Sequence, residues 1–178
     1  MIKKFKNLTF IGLFVMILPG LASAQSLQEI AKYKAWRVFK SGSEETMSCH
    51  ISSEPRKKTP ANVRRGEIFI SISHRPGQGV YDEVSLRIGY PFSPSSKPFA
   101  QIGKETFAFF TGAAQEHSAP SWAWMENADD HALFIKTLKA GARMRFKGTS
   151  ARGTLTTDEY SLMGFTAAYN HLNKVCPK

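Results

Sequence analysis

The stretch GEIFISISHRP, residues 66 to 76, alternates large apolar and small polar side chains with a period of two. One side of the extended chain carries Ile68, Ile70 and Ile72. The other side carries Phe69, Ser71 and Ser73. This period is typical of a half-buried β-strand, whereas an amphipathic helix would repeat its apolar residues every three or four positions. The stretch therefore predicts a strand whose isoleucines face the core.

The same alternation recurs in at least three further stretches of the chain. The apolar positions are Val84, Leu86 and Ile88; Ile102, Phe107 and Phe109 around a turn at Gly103-Lys104; and Met144 and Phe146. In the last stretch Arg143, Arg145 and Lys147 occupy the opposite side. Because these strands lie close together in sequence with turn residues between them, they favour an antiparallel sandwich or barrel over a parallel sheet, and we expect the sandwich.

Two segments have helical periodicity instead. In residues 127–141, Asn127 is a candidate N-cap and Gly141 a candidate stop signal. The apolar stripe of this segment is Phe134, Ile135 and Leu138. In residues 164–176 the stripe is Phe165, Ala168, Tyr169, Leu172 and Cys176. The sequence thus predicts a mainly β fold with two short helices.

Residues 1–24 have the pattern of a signal peptide. Three lysines precede an apolar run from Leu8 to Leu18, and Ala22-Ser23-Ala24 offers the small residues of a cleavage site. The run is shorter than the roughly 20 residues that span a bilayer, and no second long apolar run follows. We expect an exported chain with one domain at residues 25–178 and no transmembrane segment.

The basic charge of the chain suits an acidic partner. Removal of Lys3, Lys4 and Lys6 with the leader lowers the count of basic residues from 24 to 21, against 14 acidic residues, and the net charge from +10 to +7. Lipopolysaccharide, anionic lipid and acidic glycans are partners of this kind, although the charge could equally serve solubility alone. No nucleic-acid partner is expected.

The densest basic stretch is EPRKKTPANVRRGE, residues 54–67. Its cations are Arg56, Lys57, Lys58, Arg64 and Arg65. Two prolines in the same stretch predict a loop before the isoleucine strand. The stretch is either an anion site that binds phosphates or sulfates, or an ordinary solvated loop.

Two cysteines, Cys49 and Cys176, are present. In an oxidising compartment an even count predicts a disulfide, and only one pairing within the chain is possible. The bridge would tie the first strands to the C-terminal helix. Metal binding is the weaker interpretation, because neither cysteine has a neighbouring ligand at CxxC or HxxxH spacing.

Trp122 and Trp124 in SWAWM lie on one face if the segment is a strand. Such a pair suits stacking on a sugar ring, but core packing is the commoner fate of tryptophan and is the one we expect.

No motif of an enzyme is present. The chain lacks GxSxG, HExxH and a phosphate-binding loop ending in GK[ST]. Asp129, Asp130 and His131 would point about 100° apart on a helix, and Glu116-His117 has no second ligand at helical spacing. We therefore predict no catalytic residue, metal site or cofactor.

KGTSARGTLTTDEYSLMGF, residues 147–165, is dense in hydroxyls but fits a strand pair. Thr and Tyr favour strands, and Tyr160 and Leu162 share one face. Asp158 is expected to pair with Arg152 or with a turn amide. The hydroxyls are then structural.

Four stretches of the chain carry a resemblance to a known family. They are GARMRFKGTSARGTLTTDEYSLMGFTAAYNHLNKVC, HRPGQGVYDEVSLRIGYPF, AWRVF and CHISSEP. Together they resemble the invasion-associated locus B proteins of bacteria. The first stretch resembles the closing signature of that family, with its KGTS strand, GTxTTDxYSLxGF segment, helix and terminal cysteine. The resemblance implies an exported immunoglobulin-like β-sandwich in the periplasm or outer envelope, and a link to host-cell invasion.

The resemblance favours a non-enzymatic envelope protein, and the net charge of +7 with the basic stretch from Arg56 to Arg65 favours binding to an anionic ligand of the envelope or the host-cell surface. Two other classes stay open. One is a hydrolase of envelope polymers, which would need a convergent Ser, His and Asp pocket. The other is a structural or assembly factor of the envelope.

Overall fold

The computed structural model describes residues 26–114 and 119–178, and the predicted leader and the pair Glu116-His117 lie outside the described residues. Eleven strands form one antiparallel sheet that folds over a single core, with two short α-helices. The prediction of a mainly β antiparallel sandwich with two helices is confirmed.

The strands are β1 (Gln28–Tyr33), β2 (Trp36–Ser41), β3 (Ser48–Ser53), β4 (Lys57–Thr59), β5 (Phe69–Arg75), β6 (Val80–Arg87), β7 (Phe99–Ile102), β8 (Glu105–Thr111), β9 (Trp122–Met125), β10 (Arg143–Thr149) and β11 (Leu155–Ser161). The helices are α1 (His131–Ala140) and α2 (Phe165–Val175).

The spatial order of the strands is β1-β2-β3-β5-β6-β9-β8-β7-β10-β11-β4. Strand β4 therefore lies at the far edge of the sheet, although it lies between β3 and β5 in sequence. Residues 54–67, predicted to be a loop, cross from one half of the sheet to the other and back. The prediction of a loop is wrong for Lys57–Thr59, which pair with β11.

The core lies where the alternating patterns placed it. The inward positions predicted from the alternating stretches are buried: Ile68, Ile70, Ile72, Val84, Leu86, Ile88, Ile102, Phe107, Phe109, Met144, Phe146, Tyr160 and Leu162. Phe109 on β8 packs edge-on against Phe146 on β10, with ring centroids 5.3 Å apart. Burial of these apolar side chains from both halves of the sheet is the main stabilising term of the fold.

Helix α1 ends at Ala140, and the glycine that follows it, Gly141, is not a left-handed helix cap. Gly141 has an extended backbone conformation with φ −85°, so the left-handed turn of a glycine cap is absent there. A Cβ at this position would lie 2.8 Å from Ile102 and 2.9 Å from Leu162. Glycine is therefore needed because the end of the helix packs closely on two core side chains.

Helix α2 packs on β1, β2 and β3 and carries the predicted disulfide. Phe165 packs edge-on against Trp36 at 4.9 Å, and Trp36 is fully buried. Cys176 is bonded to Cys49 on β3, 127 positions away in sequence. In the chain-entropy account a loop of this length gives a stabilisation of about 5 kcal/mol.

The crossing segment is held by a buried ion pair between Arg65 and Asp158. The guanidinium donates to both carboxylate oxygens at 2.6 Å, and it also donates to the Ile88 carbonyl oxygen at 2.7 and 2.9 Å. The two side chains are 3% and 1% exposed. Burial raises the pKa of the Asp158 carboxyl, and Arg65 opposes this by stabilising the carboxylate. The predicted pairing of Asp158 with Arg152 or a turn amide is wrong.

A second buried polar cluster holds the C-terminus beside the disulfide. The Nδ1–H of His74 donates to the Cys176 carbonyl oxygen at 2.9 Å, because a carbonyl can only accept, and Nε2 lies 2.9 Å from an Asp82 carboxylate oxygen. Tyr169 donates to the same oxygen at 2.8 Å, and Lys178 pairs with the other one. The carboxylate of Asp82 thus joins β5, β6, α2 and the final residue.

The surroundings of Asp82 strongly favour its charged carboxylate form. Burial alone would raise the pKa of Asp82, but the hydrogen bonds from His74, Lys178 and Tyr169 outweigh it and hold that pKa well below its ordinary range. The folded protein therefore binds this proton less readily than the unfolded chain does.

The Asp158→Ala substitution is expected to destabilise the fold by about 3 to 5 kcal/mol, because it leaves the Arg65 guanidinium buried without its counter-ion. Chemical denaturation would measure the loss. In Arg65→Met/Asp158→Leu, which removes both charges, most of the stability should return. The matched control is Glu159→Ala, the neighbouring carboxylate on the exposed side, with an effect below about 1 kcal/mol. Equal effects of the two alanine substitutions would contradict this account.

Asp82→Asn should flatten the acid dependence of stability. Because the folded pKa of Asp82 is depressed, its contribution is present above the ordinary aspartate pKa of about 3.9 and is lost as the pH falls below that value. Asparagine suits the left-handed backbone of residue 82, with φ 54°. The variant should be less stable than the wild type at pH 7 and lose less stability towards pH 2. Unfolding midpoints at several pH values test this, and parallel curves for the two proteins would refute it.

Candidate functional site

The five cations predicted as one anion site are dispersed by the crossing segment. Lys57 and Lys58 on β4 point to opposite sides of the sheet, as neighbours on a strand must. Arg64 is exposed. Arg65 is the buried partner of Asp158, so it is not available to a ligand. The structure therefore does not bring the predicted set together.

Arg56 lines a different hollow from its neighbour Lys57. It lines a hollow of about 260 Å³ with Lys32, Lys34 and Arg37. Glu54 borders the same hollow and lies 3.7 Å from Arg37. Arg37 also lies 3.9 Å from Glu29, so two carboxylates offset the cations of this group.

Lys57 instead joins cations that the sequence placed on another strand. We define the basic face as the outward side of β4, β11, β10 and β7, with the cations Lys57, Arg143, Arg145 and Lys147. Strand pairing sets the neighbours: Glu159 lies opposite both Lys57 and Arg145, and Thr157 opposite Lys147. Residues from positions 57 and 143–147 thus become adjacent only because β4 pairs with β11.

The cations of the basic face outnumber its acids. Glu159 accepts a hydrogen bond from Arg145 at 3.0 Å and lies 3.8 Å from Arg143. Arg143 and Arg145 keep 64% and 47% of their side chains exposed. Lys147 lies 5.6 Å over the ring of Phe99. One carboxylate against four cations leaves positive charge at the surface of this face.

Two shallow hollows form the surface between these side chains. One of about 330 Å³ is lined by Lys57, Thr59, Arg145, Lys147, Thr157 and Glu159. The next, of about 280 Å³, is lined by Gln101, Gly103, Arg143 and Arg145. Arg145 lies between them. Guanidinium and ammonium groups in this arrangement can bind phosphate, sulfate or carboxylate groups from an extended ligand.

The signal for this face was present in the sequence. Arg143, Arg145 and Lys147 alternate with Met144 and Phe146, which predicts a strand with a cationic outer side. The sequence did not show which strands pair with this one.

The expectation that Trp122 and Trp124 lie in the core is wrong. Their strand β9 turns Ala123 and Met125 inward, and both tryptophans are only half-buried on the outer side. Their rings stand nearly parallel, 17° apart, with centroids separated by 6.2 Å. Phe110 stacks on Trp124 at 5.7 Å, and Phe69 packs edge-on against Trp122 at 5.5 Å.

Phe69, Trp122 and Trp124 line a groove on the outer side of β3, β5, β6 and β9. The groove has a volume of about 410 Å³, and Ser71, Ser73 and Ser85 lie along it. Across it His50 stacks on Phe39 at 4.9 Å. Burial lowers the pKa of His50, so its ring is neutral at pH 7. The groove and the basic face belong to different halves of the sheet.

His74 and Asp82 form a buried histidine–aspartate pair that is not arranged for catalysis. His74 is fully buried, and its two ring nitrogens are engaged by Cys176 and Asp82, so neither faces a serine hydroxyl. A general base needs a free nitrogen within reach of the nucleophile. Within residues 26–114 and 119–178, no three His, Cys, Asp or Glu side chains are grouped to bind a metal ion.

Comparison of the chain with protein-family models, with curated proteins and with solved structures finds no match. The resemblance to the invasion-associated locus B proteins therefore stays a prediction. Among the described residues, no helix has the length and apolar character needed to cross a membrane.

Proposed function

We propose that this chain is an exported, non-enzymatic protein of the cell envelope, as its resemblance to the invasion-associated locus B proteins implies, and that its basic face binds an anionic polymer. The observation that carries the proposal is the cluster of Lys57, Arg143, Arg145 and Lys147 around a single carboxylate. The signal-peptide pattern and the disulfide between Cys49 and Cys176 support export.

The spacing of the cations suits repeated charges better than a single anion. Alternate residues on β10 lie about 6.8 Å apart, and neighbouring strands lie about 4.8 Å apart. The basic face is shallow and open, so it does not enclose a small ligand. A polymer that carries a phosphate, sulfate or carboxylate on each repeat could contact several of the cations at once.

Acidic glycans meet this requirement on both sides of the envelope. The anionic saccharide of lipopolysaccharide carries phosphates, and the acidic glycans of a host-cell surface carry sulfates and carboxylates. Both supply the same chemistry to guanidinium and ammonium groups. A role in host-cell invasion would follow if the host glycan is the ligand, and an envelope role if the bacterial one is.

Replacement of Arg145 and Lys147 by glutamine should weaken binding of the protein to heparin and to lipopolysaccharide by about tenfold, since two exposed ion pairs of roughly 0.5 to 1 kcal/mol each are lost. Wild-type binding should weaken as salt is raised, because the face is exposed and screened. Surface plasmon resonance on immobilised heparin, immobilised lipopolysaccharide and anionic vesicles measures both effects.

The matched control is Lys136→Gln/Lys174→Gln, which removes the same charge from exposed positions on α1 and α2. An equal loss in both double variants would mean that net charge and not the basic face binds the ligand. Release of shortened polymer during the assay would favour the hydrolase class. Recovery of one stable protein partner by crosslinking in cells, with no polymer bound, would favour an assembly factor.

A further inference from the structure

The groove beside Trp122 and Trp124 is an unusual surface for an exposed sheet. One row of outward positions runs across five neighbouring strands, and strand pairing gives its members: Ser52, Ser71, Ser85, Trp124 and Phe110. At about 4.8 Å per strand the row is close to 20 Å long. Hydroxyls occupy one end and aromatic rings the other, with no charged side chain between them.

The charged groups that border the groove are neutralised by each other. Arg75 donates to both oxygens of Glu83 at 2.7 and 2.8 Å. Arg87 pairs with Glu67 and lies 5.9 Å over the ring of Trp122. Each guanidinium therefore has a carboxylate, in contrast to the basic face. A charged ligand would gain little here. The guanidinium groups can still donate hydrogen bonds to hydroxyls, and the carboxylates can still accept hydrogen bonds from them.

Trp122 and Trp124 supply the apolar surface of the groove. Their rings are 17° apart, and Phe110, outside the groove, stacks on Trp124 at 24°. The two indoles come from positions i and i+2 of β9, so they lie on the same side of that strand. Because Ala123 and Met125 fill the inner side, the rings stay on the surface without loss of core packing.

We propose that this groove binds an uncharged saccharide chain, with sugar rings stacked on Trp122 and Trp124 and their hydroxyls hydrogen-bonded to the serines and to the Arg75–Glu83 pair. A pyranose ring has apolar C–H faces and a rim of hydroxyls, which match aromatic rings and a row of serines respectively. The neutral charge of the groove selects a neutral sugar. This site is separate from the basic face and does not rest on the function proposed for it.

A chain with both sites could hold a neutral saccharide segment on one side and an acidic segment on the other. The two surfaces lie on different halves of the sheet, so neither blocks the other. The protein would then join two segments of envelope polymer, or two polymers.

Intrinsic fluorescence offers a direct test, because Trp36, the third tryptophan, is fully buried. Titration with uncharged hexasaccharides of β-1,4-linked glucose, α-1,4-linked glucose and β-1,4-linked N-acetylglucosamine should change the emission of the wild type for at least one of them. Calorimetry gives the Kd. Binding should not depend on salt, because the groove uses no net charge.

Trp124→Ala should weaken the affinity for that saccharide by about tenfold, and Trp124→Phe should retain part of it. The Arg145→Gln/Lys147→Gln protein should bind it as the wild type does, while Trp124→Ala should bind heparin normally. This pair of variants separates the two proposals, and near-wild-type thermal melting of each variant verifies folding.

Three results would overturn the proposal. The first is the absence of binding to all three hexasaccharides at millimolar concentration. The second is wild-type affinity in Trp124→Ala. The third is a wild-type dimer in sedimentation velocity that Trp124→Ala converts to monomer without any saccharide binding, since the rings would then be an interface between two copies of the chain.

Discussion

The buried ion pair of Arg65 and Asp158 is the contact on which the arrangement of the two sheet halves depends. It fixes the crossing segment to β11 and to the end of β6, at the place where the chain returns from the far edge of the sheet. The two side chains are only 3% and 1% exposed, so loss of one partner would leave the charge of the other buried without a counter-ion. With that crossing in place, β4 completes the edge beside β11 and carries Lys57 to the basic face.

The strands share one inner side but present two chemically different outer sides. Alternation makes each strand contribute to both, so the core between the halves is continuous while the surfaces differ. One outer side carries cations with a single carboxylate, and the other carries serines, aromatic rings and compensated ion pairs. These surfaces lie on a framework fixed by the disulfide and by the Asp82 cluster, and a rigid support of this kind is what a preorganised binding surface needs.

Several elements could be read from local patterns, and others could not. The isoleucine strand, the hairpin at Gly103-Lys104 and both helices follow from periodicity, because burial of one face acts on neighbouring residues. The disulfide followed from the cysteine count. The tryptophan pair failed because SWAWM is ambiguous: either its tryptophans or Ala123 and Met125 could face inward. Pairing of β9 with β6, which sets Ala123 opposite the buried Leu86 and Trp124 opposite Ser85, decides between them.

The sequence by itself determined the fold class, the inward-facing residues of the clearly alternating strands, the disulfide and the total charge. Only the tertiary structure decided which charges meet. Arg65 and Asp158 are 93 positions apart, and Lys57 reaches Arg145 through the pairing of β4 with β11. Strand order depends on the packing of the whole chain, whereas the period of two is a property of each strand alone. The five cations of residues 54–67 therefore predict a charged stretch but not a binding site. Lys57 and Lys58, which are neighbours on a strand, point in opposite directions.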